Sequence, residues 1–239
     1  MTLARHAVVL ADLHESPSFR AARFDEGPAF AGRVAVLPSA FNPPTRAHVG
    51  LLELAADVPG ISHVAALLTT NNVDKSLFGA PLSHRVGMLL ALRAPRPEVA
   101  VLGSNAARLI DQGLALETAF PGVAFDFVVG YDTLVRIFDE KYYEDMPGAL
   151  DVFFARHRVI ASNRAQATAG ALADFLRQPE VAEYAGRVIV RELDTHHAGL
   201  SSTGARQSVA RGEEPPALTP EVHDYIRRHR LYGEDSDRG

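Results

Sequence analysis

Cysteine and tryptophan are both absent from this chain of 239 residues, and only two of its 24 lysine and arginine residues are lysines. Without cysteine the protein has no disulfide framework, no thiolate nucleophile and no cysteine–zinc site, which fits a reducing compartment. The net charge of −5 argues against a general nucleic-acid or anionic-membrane binder. It still permits an anionic small substrate, because such a site needs only local positive charge.

Long apolar runs are missing too. None approaches the length of a membrane span, and the first residues, MTLARHAVVLADLHES, lack the longer apolar core and the cleavage site of a signal peptide. The composition, with 47% hydrophobic and 22% charged residues, is typical of a globular protein with a substantial core. We therefore expect a cytoplasmic protein whose partners are small molecules, with no nucleic acid and no membrane among them.

Several common functional motifs do not occur in the sequence. There is no G-x-G-x-x-G dinucleotide fingerprint, no G-x-x-x-x-G-K-[ST] phosphate loop and no G-x-S-x-G hydrolase elbow. The ten histidines show no H-E-x-x-H or similar ligand spacing, so we expect no metal site built from protein side chains.

Short β-rich runs alternate with helical patterns along most of the chain. RVAVL is followed by the helical AHVGLLELAADV, HVAALLT is followed by SHRVGMLLALRA, and the alternation continues to RVIVREL. Strand runs without strict apolar–polar alternation, separated by helices, are typical of a parallel sheet covered on both faces. The pattern predicts an α/β fold with a Rossmann-like, doubly wound parallel sheet.

The two ends of the chain stand apart from this alternation. Residues 1–31 are predicted to form an N-terminal extension, helical over ADLHESPSFRAARFDEG. Residues 32–232 form the predicted main domain. Residues 233–239 are predicted to be a disordered tail, because they are polar and lie at a terminus.

Ligands bind doubly wound sheets beyond the carboxyl ends of the strands, and the segment PSAFNPPTRAH follows such an end. Pro43 and Pro44 keep its loop out of a helix, so that backbone N–H groups can form an anion-binding concavity. Thr45 and His48 are three residues apart on the first helical turn, where a hydroxyl and an imidazole could donate to one phosphate. Alternatively, Thr45 only caps the helix and His48 lies on the surface.

A second polar segment, GLSSTGARQ, precedes another helix late in the chain. Ser201, Ser202 and Thr203 supply hydroxyl groups, and Arg206 lies three positions after Thr203 on the same face. Hydroxyls, unpaired helix N–H groups and a guanidinium on one face suit a polyphosphate. In the alternative interpretation the serines only cap the helix and Arg206 is solvated.

Two further segments carry weaker signals. Lys75 in NNVDKSLFG could contact a phosphate as a compact charge, or could simply be solvated. Gly130 in FDFVVGYDTL would allow a ligand close to the backbone. Asp132 could accept hydrogen bonds from ribose hydroxyls, or could cap the helix TLVRIF.

Together these segments resemble the nucleotidyltransferase superfamily. SAFNPPTRAH resembles its first signature, a glycine or serine, F-N-P-P and then H/T-x-x-H, and LSSTGAR resembles the second, I-S-S-T-x-x-R. FVVGYDTL is similar to the G-x-D segment, and TPEVHDYIRRHRLY to the closing helix, of nicotinamide/nicotinate mononucleotide adenylyltransferases. The resemblance covers about residues 33–232 in the expected order. It implies transfer of the AMP moiety of ATP to a pyridine mononucleotide in NAD biosynthesis, with release of pyrophosphate.

The resemblance also implies roles for individual residues. Catalysis would rest on Thr45, His48 and Arg206. ATP, the co-substrate, would be bound with Mg²⁺ carried on its phosphates. The residues implied to contact it are Ser39, Ala40, Phe41, Gly130, Asp132, Ser201, Ser202 and Thr203.

The acceptor would meet a different group of residues. Lys75 would contact its phosphate. A tryptophan often stacks on the pyridine ring in this family, and because this chain has none, Phe138, Tyr142 and Tyr143 are the candidate replacements.

Other functions remain open at this stage. The nearest alternative is a cytidylyltransferase, or a nucleotidyltransferase with another acceptor such as phosphopantetheine. An alternative of another class is a nucleotide-binding regulatory protein or weak ATPase. The sequence is compatible with a homo-oligomer, and it does not distinguish an amidated from an acid mononucleotide.

Overall fold

A seven-stranded sheet organises the residues that the computed structural model describes, which are 2–71, 79–163, 169–194, 197 and 199–233. The strands lie in the order β1-β4-β3-β2-β5-β6-β7. Their bounds are β1 Ala21–Arg23, β2 Arg33–Ser39, β3 Ile61–Thr69, β4 Val99–Ser104, β5 Ala124–Gly130, β6 Arg158–Asn163 and β7 Val188–Glu192.

Helices connect the strands in most of the crossovers. Their bounds are α1 Leu3–Glu15, α2 Arg46–Ala56, α3 Leu82–Arg93, α4 Leu109–Ala119, α5 Tyr131–Ile137, α6 Met146–Arg156, α7 Ala169–Phe175, α8 Pro179–Ala182, α9 Ser202–Ala210 and α10 Pro220–His229. Short 3₁₀ turns occupy Glu140–Tyr142 and Ala185–Arg187.

The strand order reverses at β2. Strands β3 and β4 extend the sheet on one side of β2, whereas β5, β6 and β7 extend it on the other, and all six are parallel. This confirms the predicted doubly wound α/β fold. The crevice where the order changes, beyond the carboxyl ends of β2 and β5, is where such sheets bind ligands.

The sheet is buried on both faces, as its apolar strands predict. Successive residues of β2 alternate between two cores: Val34 and Val36 pack into one, and Ala35 and Leu37 into the other. A third cluster lies around α3, α9 and α10, where Met88, Val222 and Ile226 are fully or almost fully buried.

The N-terminal segment contains a helix, but the helix spans Leu3–Glu15 and overlaps the predicted helical stretch, residues 11–27, only at its first residues; the segment also contributes to the sheet. Strand β1 pairs antiparallel with β4, with Ala22 opposite Gly103. A Cβ atom on Gly103 would lie 2.8 Å from the ring of Phe24, so glycine lets the segment pack this closely. The three residues AAR show no β pattern, and only the pairing with β4 makes them a strand. Of the predicted tail, residues 233–239, all but Gly233 lie outside the described residues.

A buried carboxylate joins three neighbouring strands. Asp126 on β5 is 0% exposed and binds Arg33 on β2 at 2.6 Å and Arg158 on β6 at 2.5 Å. Each arginine side chain keeps 25% of its surface exposed, so water shares the solvation of both guanidiniums. The carboxylate itself depends on the two arginines for compensation of its charge.

We expect Asp126→Asn to destabilise the fold, because it leaves two neighbouring cations without their shared anion. Removing one partner of a buried ion pair costs about 3–5 kcal/mol, and because both arginines are partly exposed we expect a smaller loss of about 2–3 kcal/mol. Urea unfolding monitored by circular dichroism measures the change. Glu213→Gln, which opens an exposed pair with Arg211, is the control and should leave the midpoint unchanged. Equal midpoints for both variants would contradict the role of Asp126.

His157 at the end of α6 is 3% exposed and lies among Phe127, Phe153 and the Phe125 carbonyl oxygen, which is 3.2 Å from Nδ1. Burial lowers the pKa of His157, against an opposing effect of Glu117. The folded protein therefore binds a proton at this ring less readily than the unfolded chain does.

From this direction we expect stability to fall when the pH drops below about 6.5, the unperturbed histidine value, because the unfolded state then binds the extra proton. Burial lowers the pKa of His6 and His84 too, so these residues add to the effect. Urea unfolding at pH 7.5 and at pH 5.5 measures this loss of stability. The free energy of unfolding of His157→Gln should differ less between the two pH values than that of the wild type. If His157→Gln lost as much stability between pH 7.5 and 5.5 as the wild type, His157 would be excluded as a source of the pH dependence.

Candidate active site

The first signature folds into a tight cap at the start of α2. Thr45 is the N-cap and is 0% exposed, and His48, 8% exposed, occupies the third helical position. The backbone N–H of Thr45 donates to His48 Nδ1 at 2.9 Å, and the Thr45 hydroxyl lies 2.8 Å from the same nitrogen. Because Nδ1 accepts a backbone proton, the proton of the neutral ring is assigned to Nε2.

The ring of His48 is therefore held in one tautomer with its donor facing outward from the cap. Nε2 lies 3.2 Å from Ser39 Oγ at the end of β2, and the ring packs against Phe41 at a centroid distance of 4.9 Å. The Thr45 hydroxyl is directed at the imidazole. The structure thus connects Thr45 to the site through His48.

The second signature lies directly against the first. Ser202 Oγ donates to the Pro43 carbonyl oxygen at 2.8 Å, and Arg206 Nη1 donates to the Asn42 carbonyl oxygen at 2.6 Å. Arg206 Nη2 also donates to Thr203 Oγ1 at 3.2 Å. Two segments about 160 residues apart in sequence therefore form one site.

Ser201 has a different place from its neighbours. Its hydroxyl accepts from the backbone N–H of Gly204 at 3.1 Å and so caps α9, which agrees with the simple capping interpretation for this residue. Arg206, by contrast, is directed onto the loop of the first signature and not only into solvent.

A buried network behind this loop could not be found from sequence. Tyr232 Oη donates to Asn42 Oδ1 at 2.7 Å, and Arg85 on α3 donates to the carbonyl oxygens of Ala80 and Ala40 at 2.8 and 3.2 Å. Burial lowers the pKa of Arg85, and the nearby charge of Arg206 acts in the same direction. The hydrophobic helix pattern around Arg85 gave no sign that its side chain would reach the loop.

A cavity of about 200 Å³ opens beside Ser39 and Ala40, at the carboxyl ends of the central strands. Its wall also includes Thr69 at the end of β3, Asn71 after that strand, and residues of the first turns of α4 and of α5. The cavity lies at the edge of the sheet that the fold predicts for ligand binding.

The three aromatic candidates lie in two different places, the cavity wall and the core. Tyr142 and Tyr143 line the cavity. Phe138 is buried in the core against Phe154, Phe175 and Tyr184, and does not line it. Burial raises the pKa of Tyr143 to about 12, and its hydroxyl donates to the Ile137 carbonyl oxygen at 2.8 Å.

The remaining predicted residues are placed as follows. Gly130 ends β5 and is the N-cap of α5, and a Cβ atom added to it would meet no atom within 4 Å, so space is open beside it. Asp132 is exposed in the first turn of α5 and is not its N-cap. Lys75 lies outside the described residues.

The described residues contain neither a candidate metal site nor a candidate membrane span. Within them, no group of three or more His, Cys, Asp or Glu side chains could hold a metal ion. No helix in the same part of the chain is long and apolar enough to cross a bilayer.

Comparison with known proteins gives two curated relatives. The chain is 28% identical over 193 residues, 75% of its length and 76% of the relative's, to a Schizosaccharomyces pombe protein named "Putative nicotinamide mononucleotide adenylyltransferase". It is 26% identical over 207 residues, 84% of its length and 98% of the relative's, to a Bordetella pertussis protein named "Probable nicotinate-nucleotide adenylyltransferase". The chain is similar to the mononucleotide adenylyltransferases of the nucleotidyltransferase superfamily. The resemblance carried by the two signatures is thereby confirmed.

Solved structures agree on the fold. Plasmodium falciparum nicotinic acid mononucleotide adenylyltransferase complexed with NaAD superimposes with a TM-score of 0.64 at 16% identity, over 84% of this chain and 98% of that one. The same enzyme complexed with APC gives a TM-score of 0.62 at 14% identity, over the same shares of the two chains. No family model matches the chain.

A variant of Thr45 tests whether its hydroxyl orients the ring of His48. We expect Thr45→Val to lower kcat up to about tenfold, because one neutral hydrogen bond that orients the ring, about 0.5–1.5 kcal/mol, is lost. Thr45→Ser keeps the hydroxyl and should retain most of the turnover. Steady-state kinetics with thermal melting of each variant provide the measurement, and equal rates for the valine and serine variants would argue against this role.

Proposed function

We propose that the protein transfers the AMP moiety of ATP to a pyridine mononucleotide, nicotinamide or nicotinate mononucleotide, and releases pyrophosphate, in NAD biosynthesis. The single observation that carries the proposal is the direct contact between the two signature segments, in which Ser202 and Arg206 bind the loop that leads to His48. The names of the two sequence relatives support the same reaction.

The convergence of two helix ends at this loop suits an anionic chain. Thr45 caps α2 and Ser201 caps α9, and each helix N-terminus carries partial positive charge. Arg206 adds a full charge, with Arg85 buried behind the same loop. A triphosphate provides the negative charge that this arrangement stabilises.

The proposed mechanism needs alignment and neutralisation of charge, and no general base. The 5′-phosphate oxygen of the acceptor is already anionic, and its bond to the α-phosphorus forms as the bond to pyrophosphate breaks. His48 would donate from Nε2 to the α-phosphate, with Thr45 holding the ring. Ser202, Thr203 and Arg206 would bind the β- and γ-phosphates, and Arg206 would stabilise the leaving pyrophosphate.

The two nucleosides would lie on either side of Ser39 and Ala40. We assign the acceptor to the cavity lined by Tyr142 and Tyr143, whose rings could stack on the pyridine. Gly130 and Asp132 would border the adenosine ribose. Lys75 remains the predicted contact for the acceptor phosphate.

Magnesium would reach the site on the phosphates of ATP, where it would neutralise part of their charge. The side chains assigned to those phosphates are hydroxyls, an imidazole and a guanidinium, which complement phosphate oxygens directly.

A pyrophosphate-release assay tests the function. We would pair ATP or CTP with nicotinamide mononucleotide, nicotinate mononucleotide or phosphopantetheine, and we expect release only with ATP and a pyridine mononucleotide. A requirement for CTP would identify a cytidylyltransferase, and activity with phosphopantetheine another acceptor class. Hydrolysis of ATP that no acceptor stimulates would support the regulatory protein or weak ATPase.

The same assay tests the role of His48. We expect His48→Ala to lower kcat by about 10²–10³, because a donor that acts mainly in the transition state is lost. His14→Ala, which removes an exposed imidazole from α1, is the matched control. Circular dichroism should show an intact fold for both variants. Near-normal turnover of folded His48→Ala would falsify the assignment.

A further inference from the structure

Two residues of α4 give the cavity beside Ser39 a hydrogen-bonding pattern of its own. Arg108 is the N-cap of the helix and Gln112 lies four positions later, on the same face. Both line the cavity together with Tyr142 and Tyr143. Neither Arg108 nor Gln112 belongs to the two signature segments.

Arg108 is fixed by its neighbours before any ligand binds. Its Nε and Nη2 donate to the two carboxylate oxygens of Asp111 at 2.7 and 2.9 Å, and Nη1 donates to the Tyr142 carbonyl oxygen at 2.9 Å. Three of the five N–H groups of a guanidinium are thereby used, and two remain. Asp111 balances the charge of Arg108, so the pair presents hydrogen-bond donors with little net charge.

Gln112 differs from Arg108 in that it offers a hydrogen-bond acceptor and not a donor. Its side chain is buried, with 2% of the residue exposed, and its Nε2 donates to the Ala106 carbonyl oxygen at 3.2 Å. Its Oε1 accepts from no group among the described residues. Turning the amide over would place Oε1 against the Ala106 carbonyl oxygen, so the contact with Ala106 assigns the orientation. A buried acceptor without a donor is costly, and a ligand N–H would remove that cost.

We propose that Arg108 and Gln112 select the amidated acceptor, nicotinamide mononucleotide, over nicotinate mononucleotide; this inference rests on the proposed function. The carboxamide oxygen accepts from Arg108, and a small side-chain rotation of Gln112 lets Oε1 accept from the carboxamide N–H₂. A carboxylate has no hydrogen for Gln112 and would lie near Asp111, which is also negative.

Among the described residues that line the cavity, Arg136 is the cation besides Arg108, and its charge favours the carboxylate. It lies on α5, where its residue surface is exposed, so water and salt screen its charge. The buried acceptor of Gln112 is not screened in this way. A preference for nicotinate mononucleotide would show that the arginine charges dominate.

The experiment compares the two mononucleotides as acceptors for the full-length protein, each with saturating ATP. We expect kcat/KM for nicotinamide mononucleotide to exceed that for nicotinate mononucleotide by about tenfold or more, the effect of one buried hydrogen bond. Equal or reversed values would overturn the inference and leave the proposed function standing. If neither mononucleotide yields a dinucleotide, the proposed function fails and the inference fails with it.

A variant of Gln112 tests whether this residue causes the preference for the amidated mononucleotide. Gln112→Leu removes the acceptor, so we expect it to lower kcat/KM for the amide about tenfold, to change that for the acid little, and to leave KM for ATP unaltered. Gln178→Leu makes the same change on the exposed N-cap of α8 and should alter nothing. An undiminished preference in Gln112→Leu would contradict the role of Gln112.

A binding measurement on the wild type covers the case in which Gln112→Leu fails to fold. Isothermal titration with NAD and with its deamidated counterpart should give a dissociation constant about tenfold lower for NAD, for the same reason. Equal or weaker binding of NAD would overturn the inference without any variant.

Discussion

The contact between α9 and the loop that precedes α2 is the constraint on which the site depends. Arg206 and Ser202 bind the carbonyl oxygens of Asn42 and Pro43, and this contact places two helix N-termini beside one another. Such ends repel each other, because each carries partial positive charge. The fold tolerates the arrangement by burying the loop among Tyr232, Arg85 and the core around α3 and α10. An arrangement of this kind favours a bound polyanion.

The sheet accounts for the position of this contact. Because β2 is the strand at which the order reverses, the segments that follow β2 and β5 separate and leave a crevice. His48 follows β2, and Gly130 ends β5. Burial of both faces of the sheet, together with the ion pairs of Asp126 towards the amino ends of β2, β5 and β6, stabilises the register of these strands. The sheet is therefore a rigid scaffold for the loops that form the candidate site.

Local patterns were sufficient to predict most of the fold. The runs that predicted β2 to β7 and the helices between them are regular and apolar, and the signatures stand at the strand ends where the fold requires them. Strand β1 was missed because AAR becomes a strand only by pairing with β4. Arg85, Arg108, Gln112 and Tyr232 were also missed, because the contacts that place them at the loop or beside the cavity do not follow from local sequence patterns. Phe138 was a plausible aromatic candidate from sequence, and only the packing of its ring against Phe154 and Tyr184 shows that it belongs to the core.

The hydrogen bond between Tyr232 and Asn42 joins residues 190 positions apart. Closing so long a loop has an entropic cost that must be met before the contact contributes any stability, and folds rich in such contacts form slowly. On the ribosome, the sheet strands up to β7 can pair while the loop before α2 still lacks Tyr232. The candidate site is therefore completed late in biosynthesis, after the sheet that carries it.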